Sequence, residues 1–239
     1  MTTIQNQLPT QLQSVRARVT AACQAAGRAA SEVTLLAVSK TVAPEVVTQA
    51  YAAGQRAFGE NYIQEAVEKI SHLRHLPLEW HCIGPIQSNK TRLVAEHFDW
   101  VQTLDRLKIA QRLSEQRPAG RPPLQVCIQV NVDGGASKSG VSPCEALALA
   151  RSVAALPGLR LRGIMSIPEP APDFAAACAL FARVKAVFDA LNAEGLALDT
   201  LSMGMSADME AAIQSGSTMV RVGTAIFGGR PPIKSGIAH

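Results

Sequence analysis

The chain has 239 residues, of which 47% are hydrophobic and 18% charged, and its formal net charge is +4. This composition supports a large buried core and excludes an intrinsically disordered chain. The positive charge is too small and too scattered to indicate nucleic-acid binding by itself. No stretch approaches the length of a membrane span, and the N-terminus is polar without an apolar signal core, so we expect a cytoplasmic protein.

The five cysteines follow no metal or redox spacing, because their number is odd and no two form a C-x-x-C pair. This excludes a zinc ribbon, a thioredoxin motif and a disulfide framework. We expect most of them to be small buried hydrophobic residues.

The chain begins with a predicted helix at about 10–30 that ends near Gly27, where apolar residues recur at helical spacing. A fully buried strand is predicted next, at 33–39, and a helix then opens at Pro44 and runs to about Ala53. Further strand signals alternate with helical segments, at 56–59, 79–84, 99–104, 124–132, 159–167, 198–203 and 218–223.

Eight strands that alternate with helices indicate a parallel sheet with helices outside. Over about 210 residues this count favours a closed (β/α)8 TIM barrel, with 1–239 as a single domain. An open, doubly wound sheet is the alternative.

Lys40 occupies an unusual place, directly after the first buried strand. Lysine is rarely fully buried unless it is paired or used, and desolvation lowers its pKa toward that of a neutral, nucleophilic amine. A barrel of this class carries its active site at the carboxyl ends of the strands, where Lys40 lies. The alternative is a solvated residue that merely ends the strand.

A phosphate site is predicted where strands seven and eight end. Met203, Gly204 and Ser206 follow strand seven in S-M-G-M-S, and Gly223 and Thr224 close strand eight in V-G-T-A. In this fold a phosphate commonly lies between these two loops, where glycine permits close backbone approach and hydroxyl and N–H groups donate. The alternative is ordinary turn chemistry, with glycine at the bend and serine as a helix cap.

Arg221 lies two residues before Gly223, so period two places both on one strand face with Met219. A buried guanidinium keeps its proton and donates to whatever ring or anion it meets. A salt bridge to a neighbouring carboxylate is the alternative. Together with a lysine amine and a phosphate site, the arginine matches the needs of pyridoxal 5′-phosphate, which requires a Schiff-base lysine, a phosphate site and a partner for its pyridine nitrogen.

Seven motifs, spread in order over most of the chain, resemble those of one known family. They are A-V-S-K-T at 37–41, F-G-E-N-Y-I-Q-E at 58–65, W-H-C-I-G-P-I-Q-S-N-K at 80–90, S-K-S-G at 137–140, G-I-M-S-I-P at 163–168, S-M-G-M-S-A-D-M-E-A-A-I at 202–213 and G-S-T-M-V-R-V-G-T-A-I-F-G at 216–228. In these motifs the chain resembles the YggS/PROSC family of pyridoxal phosphate homeostasis proteins. The resemblance implies a single fold-type III barrel like the N-terminal domain of alanine racemase, without the C-terminal β domain. It also implies roles for the matching residues: Lys40 for the cofactor aldehyde, Ser206, Gly223 and Thr224 for the phosphate, Arg221 for the pyridine nitrogen, and Asn61 for the pocket wall.

The segment before S-K-S-G departs from the family pattern. Family members usually carry an acidic or polar residue there, whereas this chain has Gly134, Gly135 and Ala136. The departure concerns closure of the site by this loop and leaves the cofactor site untouched. Lys138 is a candidate second amine near the mouth, or else a solvated loop lysine.

Racemisation by this cofactor needs a base on each face of the substrate carbon, and Lys40 supplies one. The tyrosines of the chain are Tyr51, expected to pack in a helix, and Tyr62, expected near the mouth. Arg221 would leave the pyridine nitrogen unprotonated and the ring a poorer electron sink. We therefore expect a carrier or homeostasis protein with little or no turnover, with a weak amino-acid racemase or lyase as the alternative. Apo enzymes that depend on the cofactor are candidate recipients, and we expect a monomer.

Overall fold

The computed structural model of the protein describes residues 7–134 and 139–229. Eight strands form a closed barrel in chain order. Every neighbouring pair is parallel, and β1 pairs with β8 to close the ring. The predicted barrel is therefore confirmed, and the open sheet is excluded because an open sheet leaves its edge strands unpaired.

The strands are β1 (Thr34–Val38), β2 (Ala57–Glu60), β3 (Glu79–Cys82), β4 (Trp100–Leu104), β5 (Leu124–Gln129), β6 (Leu159–Met165), β7 (Thr200–Met205) and β8 (Met219–Val222). The helices are α1 (Leu8–Ala25), α2 (Pro44–Ala52), α3 (Ile63–His72), α4 (Thr91–His97), α5 (Leu107–Gln116), α6 (Pro143–Ala154), α7 (Phe174–Ala193), α8 (Met209–Gln214) and α9 (Thr224–Phe227). No helix in the described ranges has both the length and the apolar character needed to cross a bilayer.

Local sequence explains where several helices begin. Pro44 and Pro143 start α2 and α6, at the position where a missing N–H costs nothing. Ser142 and Glu145 form a reciprocal capping box on α6. Asp173 caps α7 by accepting from the Ala176 N–H at 2.8 Å.

The apolar residues form two layers. The larger layer lies between the strands and the surrounding helices and includes Phe58, Leu104 and Leu201. Inside the barrel lie two small clusters, one built on Leu36, Ala57, Ile83 and Met219 and the other on Trp100, Cys127 and Met165. Helix α1 packs against α2, α8 and α9, so it covers the seam at which β8 meets β1.

Several strand ends differ from the predicted ones. Strand β5 stops at Gln129, although Val130 and Val132 beyond it are buried. A run of apolar residues in the sequence indicates burial and not hydrogen-bond pairing between strands. Where such a run leaves the sheet but stays buried, the predicted strand is therefore longer than the observed one. Strands β3 and β6 also end two residues before their predicted ends, at Cys82 and Met165, and the short helix α9 was not predicted at all.

Strand β7 departs in the opposite direction, because it runs on to Met205, two residues beyond its predicted end at Met203. Its register against β8 shifts between Ser202, which pairs with Met219, and Met205, which pairs with Arg221. Gly204 has φ +95° at this irregularity, and a Cβ there would lie 2.4 Å from Ala212 Cβ. This is a β-bulge, which re-aims the end of the strand.

Candidate functional site

Lys40 lies at the barrel mouth, directly after β1. Leu36 belongs to a cluster inside the barrel, and period two places Val38 and Lys40 on the same inward side. Lys40 is half-buried and lines a cavity of about 290 Å³ together with Gly223 and Thr224. The structure therefore brings together the predicted amine and part of the predicted phosphate site.

The end of β8 reaches this cavity through its pairing with β1. Ala37 pairs with Val222, which sets Gly223 level with the end of β1. The chain then turns into α9, where the Gly223 carbonyl accepts from the N–H groups of Ile226 and Phe227, both at 2.9 Å. The first N–H groups of a helix have no acceptor within it, so this turn presents backbone donors beside the Thr224 hydroxyl.

Ser206 follows the β7 bulge, one residue beyond the pair of Met205 with Arg221. The Met205 N–H donates to Asp208 Oδ1 at 2.6 Å, and Arg18 donates to the Ser206 carbonyl at 3.1 Å. These bonds hold the loop next to the end of β8. Ser206 is outside the residues that line the 290 Å³ cavity, so its contact with a phosphate stays a prediction.

Arg221 lies on the interior face of β8, as period two predicts, and is 4% exposed. It donates to Ser202 Oγ at 2.7 Å and to the Ser166 carbonyl at 2.9 Å. Both acceptors are neutral oxygens and not the carboxylate of the alternative interpretation. Burial lowers the pKa of Arg221 to about 10, so the group remains charged near neutral pH.

Met203 differs from its predicted position at the site. Its side chain is fully buried in the layer between the barrel and the helices, since it lies inside β7 rather than after it. The side chain therefore does not line the mouth, and only the Met203 backbone remains a candidate for the site. Lys138 lies outside the described residues.

Asn61 follows β2 and lines a second cavity, of about 250 Å³, together with Thr103 and Arg106. Its Oδ1 is buried and has no hydrogen-bond partner within the described chain. Gly84 must be glycine, because a Cβ there would lie 2.1 Å from the Asn61 carbonyl. Tyr62, one residue before α3, is 51% exposed. Asn61 therefore lines a cavity separate from the Lys40 cavity, and its Oδ1 is buried rather than open to solvent.

A buried ion pair supports the strand end that carries Lys40. Lys69 Nζ lies 2.7 Å from Glu60 Oε1, and the two side chains are 3% and 0% exposed. Lys69 also donates to the Ser39 carbonyl at 2.8 Å, and Ser39 Oγ donates to Glu60 Oε1 at 2.6 Å. Burial raises the pKa of Glu60, while the charge of Lys69 opposes that rise.

The residue on the other side of Lys40 is also held. Thr41 has φ 63°, a rare conformation for a β-branched residue. Its N–H donates to Glu65 Oε1 at 2.7 Å, and that oxygen also accepts from Lys69 at 3.0 Å. Sequence reasoning missed these residues, although Glu60 and Glu65 lie in the F-G-E-N-Y-I-Q-E motif and Glu65 and Lys69 have the i,i+4 spacing of a helical ion pair.

The site can hold a small anionic carbonyl compound that contains a ring. The Lys40 cavity offers a half-buried amine with hydroxyl and backbone donors beside it, and the buried Arg221 guanidinium and the Asn61 Oδ1 lie outside the lining of that cavity. A cavity near 300 Å³ suits a small ligand. These features fit pyridoxal 5′-phosphate, with the phosphate toward Gly223 and Thr224.

Comparison with known proteins agrees with this chemistry. The family model described as alanine racemase, N-terminal domain, matches residues 11–231. A pyridoxal phosphate homeostasis protein of Pseudomonas aeruginosa is 62% identical over 90% of this chain and 93% of its own. A protein of the same name from Escherichia coli K12 is 53% identical over 94% and 97% of the two chains. Among solved structures, PipY of Synechococcus elongatus with PLP bound is 35% identical, covers 93% of this chain and 100% of its own, and gives a TM-score of 0.80.

Proposed function

Because the chain belongs to the family of pyridoxal phosphate homeostasis proteins, we propose that it binds pyridoxal 5′-phosphate as a Schiff base on Lys40. Its role is to hold and deliver the cofactor inside the cell, with little or no turnover. The observation that carries the proposal is the single cavity that joins Lys40 to Gly223 and Thr224.

Each residue has a defined task in this proposal. The Lys40 amine would bond to the aldehyde carbon as the aldehyde oxygen leaves as water, and Gly223, Thr224 and Ser206 would donate hydrogen bonds to the phosphate. Arg221 donates toward the pyridine nitrogen, and Asn61 contacts the cofactor from the opposite wall. When bound, the cofactor supplies an aldehyde that captures amines and a ring that withdraws electrons.

One feature supports a low turnover. Arg221 is fully buried and charged, so it stabilises an unprotonated ring nitrogen, which is the weaker electron sink. Racemisation also needs a second base, and Tyr62, exposed at 51%, is the tyrosine beside the mouth. That position favours weak racemase or lyase activity as a second candidate function. Incubation with single L-amino acids in heavy water separates the candidates, because only an enzyme accumulates α-deuterated and D-isomer product.

The proposal also covers the cellular compartment, the oligomeric state and the recipients of the cofactor. All five cysteines are free thiols, which suits the reducing cytoplasm. We propose that residues 1–239 act as one domain and as a monomer, and that apo enzymes receive the cofactor from it. Sedimentation with and without cofactor tests the monomer.

Borohydride trapping tests the covalent bond. The protein loaded with pyridoxal 5′-phosphate should show a visible absorption band, and reduction should fix the cofactor on the peptide that contains Lys40. Lys40→Ala should lose the adduct, whereas Lys185→Ala, which removes an amine paired with Asp189 on the outer helix α7, should retain it. An unchanged adduct level in Lys40→Ala would show that a different lysine carries the cofactor.

A further inference from the structure

A row of polar side chains crosses the barrel interior. It passes between the two apolar clusters there, since Gln102 contacts Met219 of one cluster and His81 stacks on Trp100 of the other. The row takes one residue from each of β3, β4, β7 and β8, and each is at most 4% exposed: His81, Gln102, Ser202 and Arg221.

Hydrogen bonds connect the row from one end of the barrel to the other. Arg221 donates to Ser202 Oγ at 2.7 Å, and Ser202 Oγ donates to Gln102 Oε1 at 2.6 Å. Gln102 Nε2 lies 2.9 Å from His81 Nδ1, and His81 Nε2 lies 2.8 Å from Glu79 Oε1. Glu79 opens β3, and its side chain is 47% exposed at the N-terminal end of the barrel. The row therefore joins a solvated carboxylate to the guanidinium on the mouth side.

The two ends of the row together fix the direction of every bond, because the Arg221 guanidinium can only donate and the Glu79 carboxylate can only accept. Ser202 accepts from Arg221 and donates onward, so the Gln102 amide turns its oxygen to Ser202 and its nitrogen to His81. His81 is then the neutral tautomer with its proton on Nε2, facing Glu79. The reverse amide orientation would need an imidazolium, a second buried cation in the same row as Arg221, which is costly.

A packing role alone does not explain these residues. Leu36, Ala57 and Met219 fill the same interior with apolar side chains, and an apolar core avoids the desolvation that buried polar groups require. What the row adds is a fixed orientation of the Ser202 hydroxyl at the end that contacts Arg221. With its proton directed at Gln102 Oε1, the Ser202 hydroxyl presents its lone pairs to Arg221 in one orientation.

We propose that His81 and Gln102 are positioning residues for Arg221: acting through Ser202, they fix the direction in which the guanidinium meets the ring of the bound cofactor. This inference rests on the proposed function, because the cofactor ring is the partner of Arg221 there. It assigns a role to the histidine of the W-H-C-I-G motif, which the cofactor contacts do not use.

The visible band of the bound cofactor reports on the ring nitrogen and tests the proposal. With Arg221→Met as the reference for complete loss, His81→Leu and Gln102→Leu should move the absorption maximum in the same direction. His81→Asn should restore the wild-type maximum, since its Oδ1 replaces the Nδ1 acceptor. Gln55→Leu is the matched control, because this buried amide donates only to the carbonyls of Leu35 and Ala57, outside the row.

A second measurement needs no cofactor. Nitrogen-15 NMR of the cofactor-free protein should show His81 as the neutral Nε2–H tautomer. A doubly protonated or Nδ1–H imidazole would overturn the proposed bond direction. A band that stays at the wild-type position in both leucine variants while Arg221→Met moves it would overturn the positioning role. Failure of wild-type protein to acquire the band at all would instead count against the proposed function, and the NMR result would still decide the direction of the row.

Discussion

At the residue scale, the peptide groups on both sides of Lys40 are held by side chains from β2 and α3. The buried pair of Glu60 and Lys69 accounts for one side, and Glu65 for the other. Sequence reasoning finds Lys40 because a lysine after a buried strand is unusual. It does not find Lys69, because an i,i+4 pair on a helix is normally a surface feature, and only the fold shows that this one is buried.

Lys69→Met should destabilise the protein by about 3–5 kcal/mol, because it leaves the Glu60 carboxylate buried without its partner. The loss should be smaller at pH 5 than at pH 8. Burial raises the pKa of Glu60 and the charge of Lys69 opposes that rise, so the variant raises this pKa further; its stability therefore falls more steeply than that of the wild type as pH rises. Urea unfolding at the two pH values measures both effects.

Two variants control that experiment. Lys185→Met breaks the exposed pair with Asp189 and should cost about 1 kcal/mol or less. The double variant Glu60→Leu with Lys69→Met should recover most of the loss, since it removes both charges. A double variant no more stable than Lys69→Met would show that the unpaired charge is not the cause.

Thr224→Val should weaken binding of pyridoxal 5′-phosphate and of inorganic phosphate, while binding of pyridoxal should be unchanged. The variant retains the backbone N–H and loses only the hydroxyl, so we expect a loss of about 1.5–3 kcal/mol, the range for a hydrogen bond to a charged group. Equilibrium titration measures the three affinities. Thr48→Val, whose hydroxyl bonds Pro44 O on the exposed face of α2, is the control. Equal weakening for pyridoxal and its phosphate would remove Thr224 from the phosphate site.

At the element scale, the sequence predicts which segments are strands better than where they end. The eight strand signals are correct because parallel strands in a barrel are buried on both faces and read as continuous apolar runs. The β7 bulge is invisible to that reading, since a glycine in S-M-G-M-S looks like a turn. This is why the strand was expected to end at Met203, whereas it continues through the bulge to Met205 and places Ser206 next to the end of β8.

Gly204→Ala should cost about 3 kcal/mol, because the positive φ disfavours alanine and the new Cβ would meet Ala212 Cβ at 2.4 Å. It should also weaken phosphate binding by displacing the loop at Ser206. Gly195→Ala measures the destabilisation caused by the positive φ alone, because φ is +85° there and nothing lies within 4 Å of the added Cβ. We expect this destabilisation to be about 1 kcal/mol. Urea midpoints and phosphate titration compare the two variants, and equal costs would argue against the packing contact in the bulge.

At the scale of the whole molecule, barrel closure follows from the strand count, because eight strand–helix units leave few other architectures. The interior polar row does not follow from the sequence. Its members lie on four strands and are joined only by barrel closure, and no local pattern distinguishes the strand residue Gln102 from a solvated one. The shared chemistry of the mouth was easier to predict, since the carboxyl ends of all the strands meet there.

The thiols report on global unfolding. Burial raises the pKa of Cys82 and Cys127 to about 12, which leaves a thiolate fraction of about 10⁻⁴ at pH 8. Iodoacetamide should therefore modify the exposed Cys144 first and the two buried thiols only as the barrel opens. Because the folded-state pKa exceeds the unfolded value, stability should fall as pH rises above about 9. Intact mass measured against time follows the reaction, and rapid labelling of Cys82 in native protein would contradict this burial.

The seam between β8 and β1 has a consequence for synthesis on the ribosome. Lys40 is made early, whereas Gly223 and Thr224 are made near the end, and only the pairing of the last strand with the first brings them to one cavity. In the proposed site, a nascent or truncated chain without β8 would carry the Lys40 amine and Ser206 but would lack Gly223 and Thr224. We therefore expect full retention of the cofactor only after the barrel has closed, so incomplete chains would withdraw little of this reactive aldehyde from the cell.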